Sequence, residues 1–265
     1  RREDFVAGAL ILIIGLIGSA SNGLLLWTLT RSFKSHSFPS AFNLLCSSRC
    51  VSNILTLFPF IAYAAPVCFI GGPYGPEILG RKFGQMTTLT YKSVIYSQLA
   101  IAFNRFIAIF FTFSYDRICG KRGTIIMLIV VWSLSLIHAI PEFLPDCGYT
   151  FFYKTLSWGN IPNTCGDILS GPALFIPSFT VTGTCFGLNF LILFRLTAQT
   201  FKGVSLGEAS KTRHKRNARN FTQSFLQELM YMFELVFLRF FHPSSRWTSL
   251  LAYTLLWEFT HTWDG

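Results

Sequence analysis

Residues 5–30 read FVAGALILIIGLIGSASNGLLLWTLT and contain no charged side chain. An α-helix needs about 20 apolar residues to cross the roughly 30 Å hydrocarbon layer of a bilayer. The segment exceeds that length, and it is also too long for the apolar region of a cleavable signal peptide. It therefore predicts a helix that stays in the membrane as a signal anchor.

The rest of the chain has the same character. Of its 265 residues, 51% are hydrophobic and 13% are charged, whereas about a quarter of the residues of a soluble domain are charged. We predict one all-α domain over residues 1–265, a bundle of seven transmembrane helices. Its spans are Phe5–Thr30, Ala41–Val67, Gly84–Phe111, Gly123–Leu144, Ile168–Phe194, Asn220–Phe241 and Trp247–Gly265.

Basic residues in the loops predict the orientation. With the N-terminus outside, the inner loops hold twelve of them: Arg31, Lys34, Arg117, Lys121, Arg122, Arg195, Lys202, Lys211, Arg213, Lys215, Arg216 and Arg219. The outer segments hold six: Arg1, Arg2, Arg81, Lys82, Lys154 and Arg246. Cytoplasmic loops carry the excess of Lys and Arg, so the N-terminus is predicted outside and the C-terminus inside. The sequon at Asn220-Phe-Thr222 then lies inside and should carry no glycan.

The net charge of +10 is explained by this topology. No zinc-finger spacing, basic zipper or pattern of stacking aromatics accompanies it, so nucleic acid is not an expected partner. The inner basic residues Lys211, Arg213, Lys215 and Arg216 should attract anionic lipid. The same residues could also contact a cytosolic protein.

Polar residues inside apolar spans need a partner or a role. Asn22 in the first span is expected to bond to a neighbouring helix. Lys92 in the third span has two readings: it extends to the outer headgroups, or it meets Glu234 of the sixth span or an anionic group of a ligand. In the seventh span Trp257, His261 and Asp264 fall on one helix face, which predicts an inward polar stripe. One His and one Asp do not make a metal site.

Three cysteines lie on the predicted outer side, where oxidation is possible. Cys147 and Cys165 bracket the second outer loop, and Cys68 ends the second span. A disulfide between Cys147 and Cys165, or from either of them to Cys68, is compatible with the sequence, which does not choose among the pairings.

Three motifs resemble one receptor family, the nematode serpentine receptors of class x (Srx). They are YSQLAIAFNRFIAIF at residues 96–110, QSFLQEL at 223–229 and WEFTHTWDG at 257–265. Two positions depart from the pattern. Asn104 occupies a site that is acidic in the wider receptor class, and Thr112 stands where we expected a proline.

The resemblance implies a rhodopsin-like G-protein-coupled chemoreceptor in the plasma membrane of sensory neurons. It implies a small-molecule ligand in the outer half of the bundle and a heterotrimeric G protein at the inner face, with no cofactor. The residues that it suggests for the switch and for G-protein contact are Asn104, Arg105, Phe106, Tyr115, His261 and Asp264. The residues that it suggests for the ligand cavity are Tyr91, Lys92, Tyr96, Glu234 and Trp257.

Other functional classes would require other features in the sequence. An enzyme would need a nucleophile, acid or base in a recognisable motif, and the sequence holds no GxSxG, HExxH, phosphate-loop or dinucleotide fingerprint. A transporter or channel should carry charged residues or breaks on several helices, whereas the charge here is concentrated in the sixth span. A third alternative is a truncated receptor relic that does not signal, because the chain starts at Arg1 and ends within an apolar segment.

Overall fold

The computed structural model describes residues 1–31, 40–73, 75–144, 147–201, 222, 225–237, 239–241 and 243–264. Five helices are long and apolar enough to cross a membrane. They are α1 (Arg2–Arg31), α2 (Ala41–Ile70), α3 (Glu77–Phe110), α4 (Lys121–Ala139, followed by a 3-10 turn at Ile140–Phe143) and α5 (Thr164–Ile168, Leu169–Ala173 and Leu174–Phe201). The basic residues Lys211, Arg213, Lys215 and Arg216 lie outside the described residues.

Two more helices complete the described part of the bundle. Helix α6 comprises residues 225–237, within the predicted sixth span. Helix α7 runs through Arg246–Leu250, Leu251–Leu255 and Leu256–Trp263. The middle segment of α7 is π-helical, as is Phe60–Ala64 in α2, directly after Pro59. Pro66 follows this segment, and it lacks the backbone N–H that would bond to the Ala62 carbonyl in an α-helix, which accounts for the irregular hydrogen bonding in α2.

The outer faces of the bundle are apolar and exposed. Leu16 of α1 is 51% exposed and Ile129 of α4 is 60% exposed. Helices α2 and α3 are much more buried than α1 and α4, so they form the centre of the bundle. Large exposed apolar faces on long helices suit a hydrocarbon solvent, because water would penalise them.

Glycines allow α1 to approach α7 closely. A Cβ atom added at Gly18 would lie 2.3 Å from Thr262 Oγ1, and one added at Gly15 would lie 2.7 Å from Glu258 Oε1. Both distances are far below a normal carbon contact. Small residues give this close packing between helices in membranes, and here they join the first helix to the last.

A short β-hairpin covers one end of the bundle, and the prediction from the sequence did not contain it. Strand β1 (Tyr149–Phe152) pairs antiparallel with β2 (Ser157–Asn160), with Phe151 opposite Trp158. The hairpin lies so close to α3 that a Cβ atom at Gly84 would be 1.6 Å from the Tyr149 carbonyl oxygen. We call this end of the molecule the hairpin end and the opposite one the Arg105 end.

The hairpin is also fixed to the first and last helices. The Tyr153 hydroxyl donates to Asp4 Oδ2 at 2.9 Å, and Arg246 donates to the Tyr153 carbonyl oxygen at 3.0 Å. Arg246 and Asp4 form an ion pair at 2.5 Å. Asp4 is buried, so these contacts hold α1, the hairpin and α7 together.

Candidate functional site

A cavity of about 330 Å³ lies beneath the hairpin, between α3, α6 and α7. Its walls are largely aromatic, with contributions from Tyr91, Tyr149, Trp158, Phe175, Tyr253 and Trp257. Ligand sites are typically concave, mostly apolar spaces of about 300–1,000 Å³ with a few polar groups. The cavity has this character and stands at the small end of that range.

Trp257 of α7 is the centre of the aromatic cluster. Its ring meets the rings of Phe60, Tyr91 and Tyr149 edge to face, with centroids 5.4, 5.4 and 5.9 Å away. These arrangements are favourable for aromatic pairs. Burial, together with the nearby Glu142 carboxylate, raises the pKa of Tyr149 far above its ordinary value, so its phenol stays neutral. Trp257 is therefore packed against three aromatic rings, and Tyr149 adds no charge to the wall.

Lys92 pairs with Glu142, a partner that neither reading from the sequence named. Its Nζ lies 2.6 Å from Glu142 Oε1 and also donates to the His138 carbonyl oxygen at 3.1 Å. Lys92 is 2% exposed and Glu142 4%, so Lys92 does not extend to the headgroups, and it does not pair with Glu234. Tertiary packing determines this partner, because the 3-10 turn that ends α4 brings Glu142 against α3.

Glu234 of α6 lines the same cavity and is fully buried. Within the described residues, neither of its carboxylate oxygens has a hydrogen-bond partner. Thr260 lies nearby, but its hydroxyl donates to the Leu256 carbonyl oxygen at 2.9 Å. Glu234 is thus a buried acid at the cavity wall with unsatisfied acceptors.

Tyr96 is the one predicted cavity residue that the structure places elsewhere. It lines a small neighbouring space with His138, Pro177 and Val181. His138 Nε2 lies 3.0 Å from the Ala173 carbonyl oxygen, which can only accept, so Nε2 carries the proton. His138 Nδ1 then accepts from the Tyr96 hydroxyl at 3.3 Å. The other four candidates, Tyr91, Lys92, Glu234 and Trp257, all line the cavity.

A buried polar network lies next to the cavity floor, beyond Trp257. The ring of His261 is 6.3 Å from that of Trp257, and its Nδ1 lies 2.8 Å from Asn53 Oδ1. Asn22 Nδ2 donates to the His261 carbonyl oxygen at 3.0 Å, and Asn53 Nδ2 donates to Asn22 Oδ1 at 3.0 Å. Asn22 therefore makes the bond to another helix that its sequence position suggested.

Asp264 completes the network with a buried ion pair. Arg49 of α2 donates to Asp264 Oδ1. Asp264 Oδ2 accepts from the Tyr231 hydroxyl and from Asn53 Nδ2, both at 3.2 Å. The network thus joins α1, α2, α6 and α7. Arg49 and Asn53 were visible in the sequence as polar interruptions of an apolar span, but only the fold identifies their partners.

A second group of predicted residues lies at the Arg105 end. Asn104 is 2% exposed, and its Nδ2 donates to the Tyr115 hydroxyl at 3.3 Å. The Arg105 guanidinium carbon lies 5.0 Å from the centre of the Phe42 ring. Phe106 stacks on Phe110 with ring centroids 4.5 Å apart. Asn104 and Tyr115 are therefore in contact, whereas His261 and Asp264 bond to residues of α2.

The structure distinguishes the disulfides that the sequence left open. Cys147 and Cys165 are joined, and Cys68 is a free, buried cysteine. The bond fastens the segment before β1 to the start of α5, so it closes the loop that contains the hairpin. No group of three or more metal-ligating side chains occurs in the described ranges.

Comparison with known proteins agrees with this architecture. The chain is 26% identical to serpentine receptor class X 45 of Caenorhabditis elegans, over 99% of this chain and 77% of that protein. It is also 26% identical to melanopsin-B of Xenopus laevis, over 71% of this chain and 36% of that protein. The crystal structure of squid rhodopsin has a similar fold, with a TM-score of 0.73 at 18% identity, covering 99% of this chain and 79% of that one.

The family assignment rests on a match along most of the chain. Residues 12–265 match the family described as "Serpentine type 7TM GPCR chemoreceptor Srx". The fold is therefore the seven-transmembrane bundle of G-protein-coupled receptors, and the chain is a multi-pass membrane protein of a receptor family, not of an enzyme family. The protein belongs to the Srx family of serpentine chemoreceptors.

Proposed function

We propose that the protein binds a small-molecule ligand in the cavity beneath the hairpin and activates a heterotrimeric G protein at the Arg105 end. The observation that carries this proposal is the cavity itself, about 330 Å³ in volume and lined by four of the five predicted ligand residues. Its aromatic walls and few buried polar groups are typical of a site for an organic molecule.

The buried polar network supports this proposal, because it could carry the effect of a ligand from the cavity to α2. Trp257 lines the cavity and lies beside His261 on the same helix face. His261 bonds to Asn53, and Asn53 bonds to Asp264. A ligand that moves Trp257 would change this set of bonds and so the packing of α7 on α2. Coupling needs such an element with two arrangements whose balance both sites bias.

We further propose that the hairpin end faces the cell exterior, in the plasma membrane of sensory neurons. Two features support the orientation. The Cys147–Cys165 disulfide lies at the hairpin end, and disulfides persist in oxidising surroundings. The sequence also predicts an excess of Lys and Arg in the loops of the other side, as the positive-inside rule requires of cytoplasmic loops.

The test is G-protein activation in cells that express the receptor, screened against a panel of small organic molecules. Arg105→Ala should abolish the response to an active compound without abolishing its binding, because Arg105 lies away from the cavity. Arg122→Ala, a change of an exposed basic residue, is the control and should respond normally. Currents or substrate uptake without G-protein activation would instead favour a channel or transporter.

A further inference from the structure

The charged side chains that line the cavity differ in whether they have an oppositely charged partner. Lys92 and Glu142 neutralise each other at 2.6 Å. Arg239 also lines the cavity, but its side chain is exposed, whereas that of Glu234 is fully buried. Glu234 is the buried acid that remains, and no ion pair to it occurs within the described residues. Burying a charged group without a partner is costly.

The unsatisfied polar atoms of the cavity wall are mostly acceptors. They include both carboxylate oxygens of Glu234, Oε2 of Glu142 and Oδ1 of Asn160, none of which has a hydrogen-bond partner in the described structure. The unsatisfied donors of the wall are the ring N–H groups of Trp158 and Trp257. Buried polar groups in native proteins almost always find partners. A ligand that completes this wall would therefore bring N–H or O–H donors.

The aromatic walls favour the same ligand chemistry. Tyr91 and Trp257 line the cavity with Glu234, and the faces of aromatic rings attract cations within about 6 Å of their centres. An ammonium group combines a positive charge with N–H donors. An anionic ligand would face Glu234 and would find the Lys92 ammonium already engaged by Glu142.

From these observations we propose that the ligand of this cavity is a protonated primary or secondary amine, held at its ammonium group by Glu234. The proposal rests on the proposed role of the cavity as the ligand site and adds the chemical class of the ligand. The aromatic walls would take the organic part of the molecule, and Glu234 would recognise the charge. Glu234 acts here as a specificity-determining residue.

The experiment uses the purified full chain in detergent and measures its melting temperature with matched compounds. The first set is 2-phenylethylamine, 2-phenylethanol and phenylacetate, which differ mainly in the charge of one end group. Further arylalkylamines and their alcohols extend the panel. A ligand that binds the folded state raises the melting temperature with its concentration. We expect stabilisation by amines, and little by the matched alcohols or carboxylates.

Variants of Glu234 test whether this residue causes the preference for amines. Glu234→Gln should lower amine affinity by about tenfold or more, because it removes a charge-assisted hydrogen bond, while Glu234→Asp should keep the preference for amines. Asp167→Asn removes an exposed acid and is the matched control. If Glu234→Gln fails to fold, the unmodified receptor still tests the proposal, because its stabilisation by an amine can be compared with that by the matched alcohol.

Three outcomes would overturn the proposal: equal stabilisation by amines and alcohols, stabilisation by carboxylates alone, or an unchanged amine preference in Glu234→Gln. A panel in which no amine stabilises the receptor would also count against it. Because binding is measured without a G protein, an amine-binding receptor that does not signal would refute the G-protein role only. A receptor that activates the G protein in response to neutral compounds would contradict the amine proposal and leave the G-protein role intact.

Discussion

The buried ion pair of Lys92 and Glu142 combines the cost of burying two charges with the attraction between them. Both side chains lie almost entirely out of solvent, so each charge depends on the other. Replacing a whole buried pair by apolar residues of similar size often changes the stability little, whereas removing one partner leaves a buried charge unpaired. The pair is therefore better evidence for a fixed local geometry than for added stability.

We predict that Lys92→Met and Glu142→Gln each lower the free energy of unfolding by about 3–5 kcal/mol. The double variant Lys92→Met/Glu142→Met should recover most of that loss. Thermal unfolding of the purified receptor measures all three. Lys154→Met, an exposed site in the hairpin turn, is the control. A double variant as unstable as the sum of the single ones would contradict this account.

Asp264 and Tyr231 allow a ranked comparison within the polar network. Asp264→Asn removes the charge that Arg49 pairs with, so we expect a loss of about 3–5 kcal/mol. Tyr231→Phe removes the hydrogen bond of 3.2 Å to Asp264 and the 3.4 Å contact with His261 Nδ1, so we expect about 0.5–1.5 kcal/mol. Unfolding in detergent gives both values, and a larger effect of Tyr231→Phe would refute the ranking.

At the scale of residues, the location of the candidate side chains was predicted better than their contacts. The family resemblance suggested Tyr91, Lys92, Glu234 and Trp257 for the cavity, and all four line it. The partner of Lys92 was missed because Glu142 lies at the end of the predicted fourth span, in a 3-10 turn whose position only packing determines. Helix periodicity gives the direction of a side chain along one element, not its contacts with another.

The hairpin shows how an element of eight paired residues can fix the top of the cavity. Such short strands do not persist alone in water, so its stability depends on docking. Gly84 is the position that permits this, because any side chain there would collide with the backbone of β1. The contact joins α3 directly to the strand that carries Tyr149.

We predict that Gly84→Ala displaces the hairpin and lowers the melting temperature, because a Cβ atom 1.6 Å from the Tyr149 oxygen forces backbone to move. Ligand affinity should fall as well, since Tyr149 and Trp158 line the cavity. Gly183→Ala is the matched control on α5, where an added Cβ meets no atom within 4 Å. Equal behaviour of the two variants would show that the close approach is unimportant.

The disulfide is the second constraint on the hairpin. It spans 18 residues of sequence, and a loop of that size predicts a stabilisation of about 3 kcal/mol from the lost freedom of the unfolded chain. Cys147→Ser/Cys165→Ser should therefore melt at a lower temperature than the unmodified receptor, and reductant should have no further effect on it. Cys68→Ala keeps the disulfide and should remain sensitive to reductant. A reductant-insensitive unmodified receptor would exclude the bond.

At the scale of elements, apolar length predicted the long helices, because crossing a bilayer imposes a minimum length. The same criterion said nothing about the hairpin, whose strands have four residues each. It also could not foresee the π-helical segments of α2 and α7, because composition does not report hydrogen-bond register. The polar sixth span, α6, was recognisable mainly from the pattern of the other six.

The whole molecule offers a direct test of orientation through glycosylation. Thr155→Asn would create a sequon with Leu156 and Ser157 in the hairpin turn, and Thr155 is exposed. With the hairpin end outside, this variant should gain a glycan that a glycosidase removes on a gel, whereas the natural sequon at Asn220-Phe-Thr222 should stay unmodified. The reverse pattern, a glycan at Asn220 and none at the hairpin, would invert the topology.

The close approach of α1 to α7 has a consequence for biosynthesis. The ribosome makes α1 well before α7, yet Asn22 bonds to the carbonyl of His261, and Gly18 has its tight contact with Thr262. Helix α2 supplies part of the native surroundings of α1, including the bond from Asn53 to Asn22. The contacts with His261 and Thr262 form only after α7 has entered the membrane. The packing of α1 is therefore completed late in synthesis, and quality control in the cell should be sensitive to changes in α7.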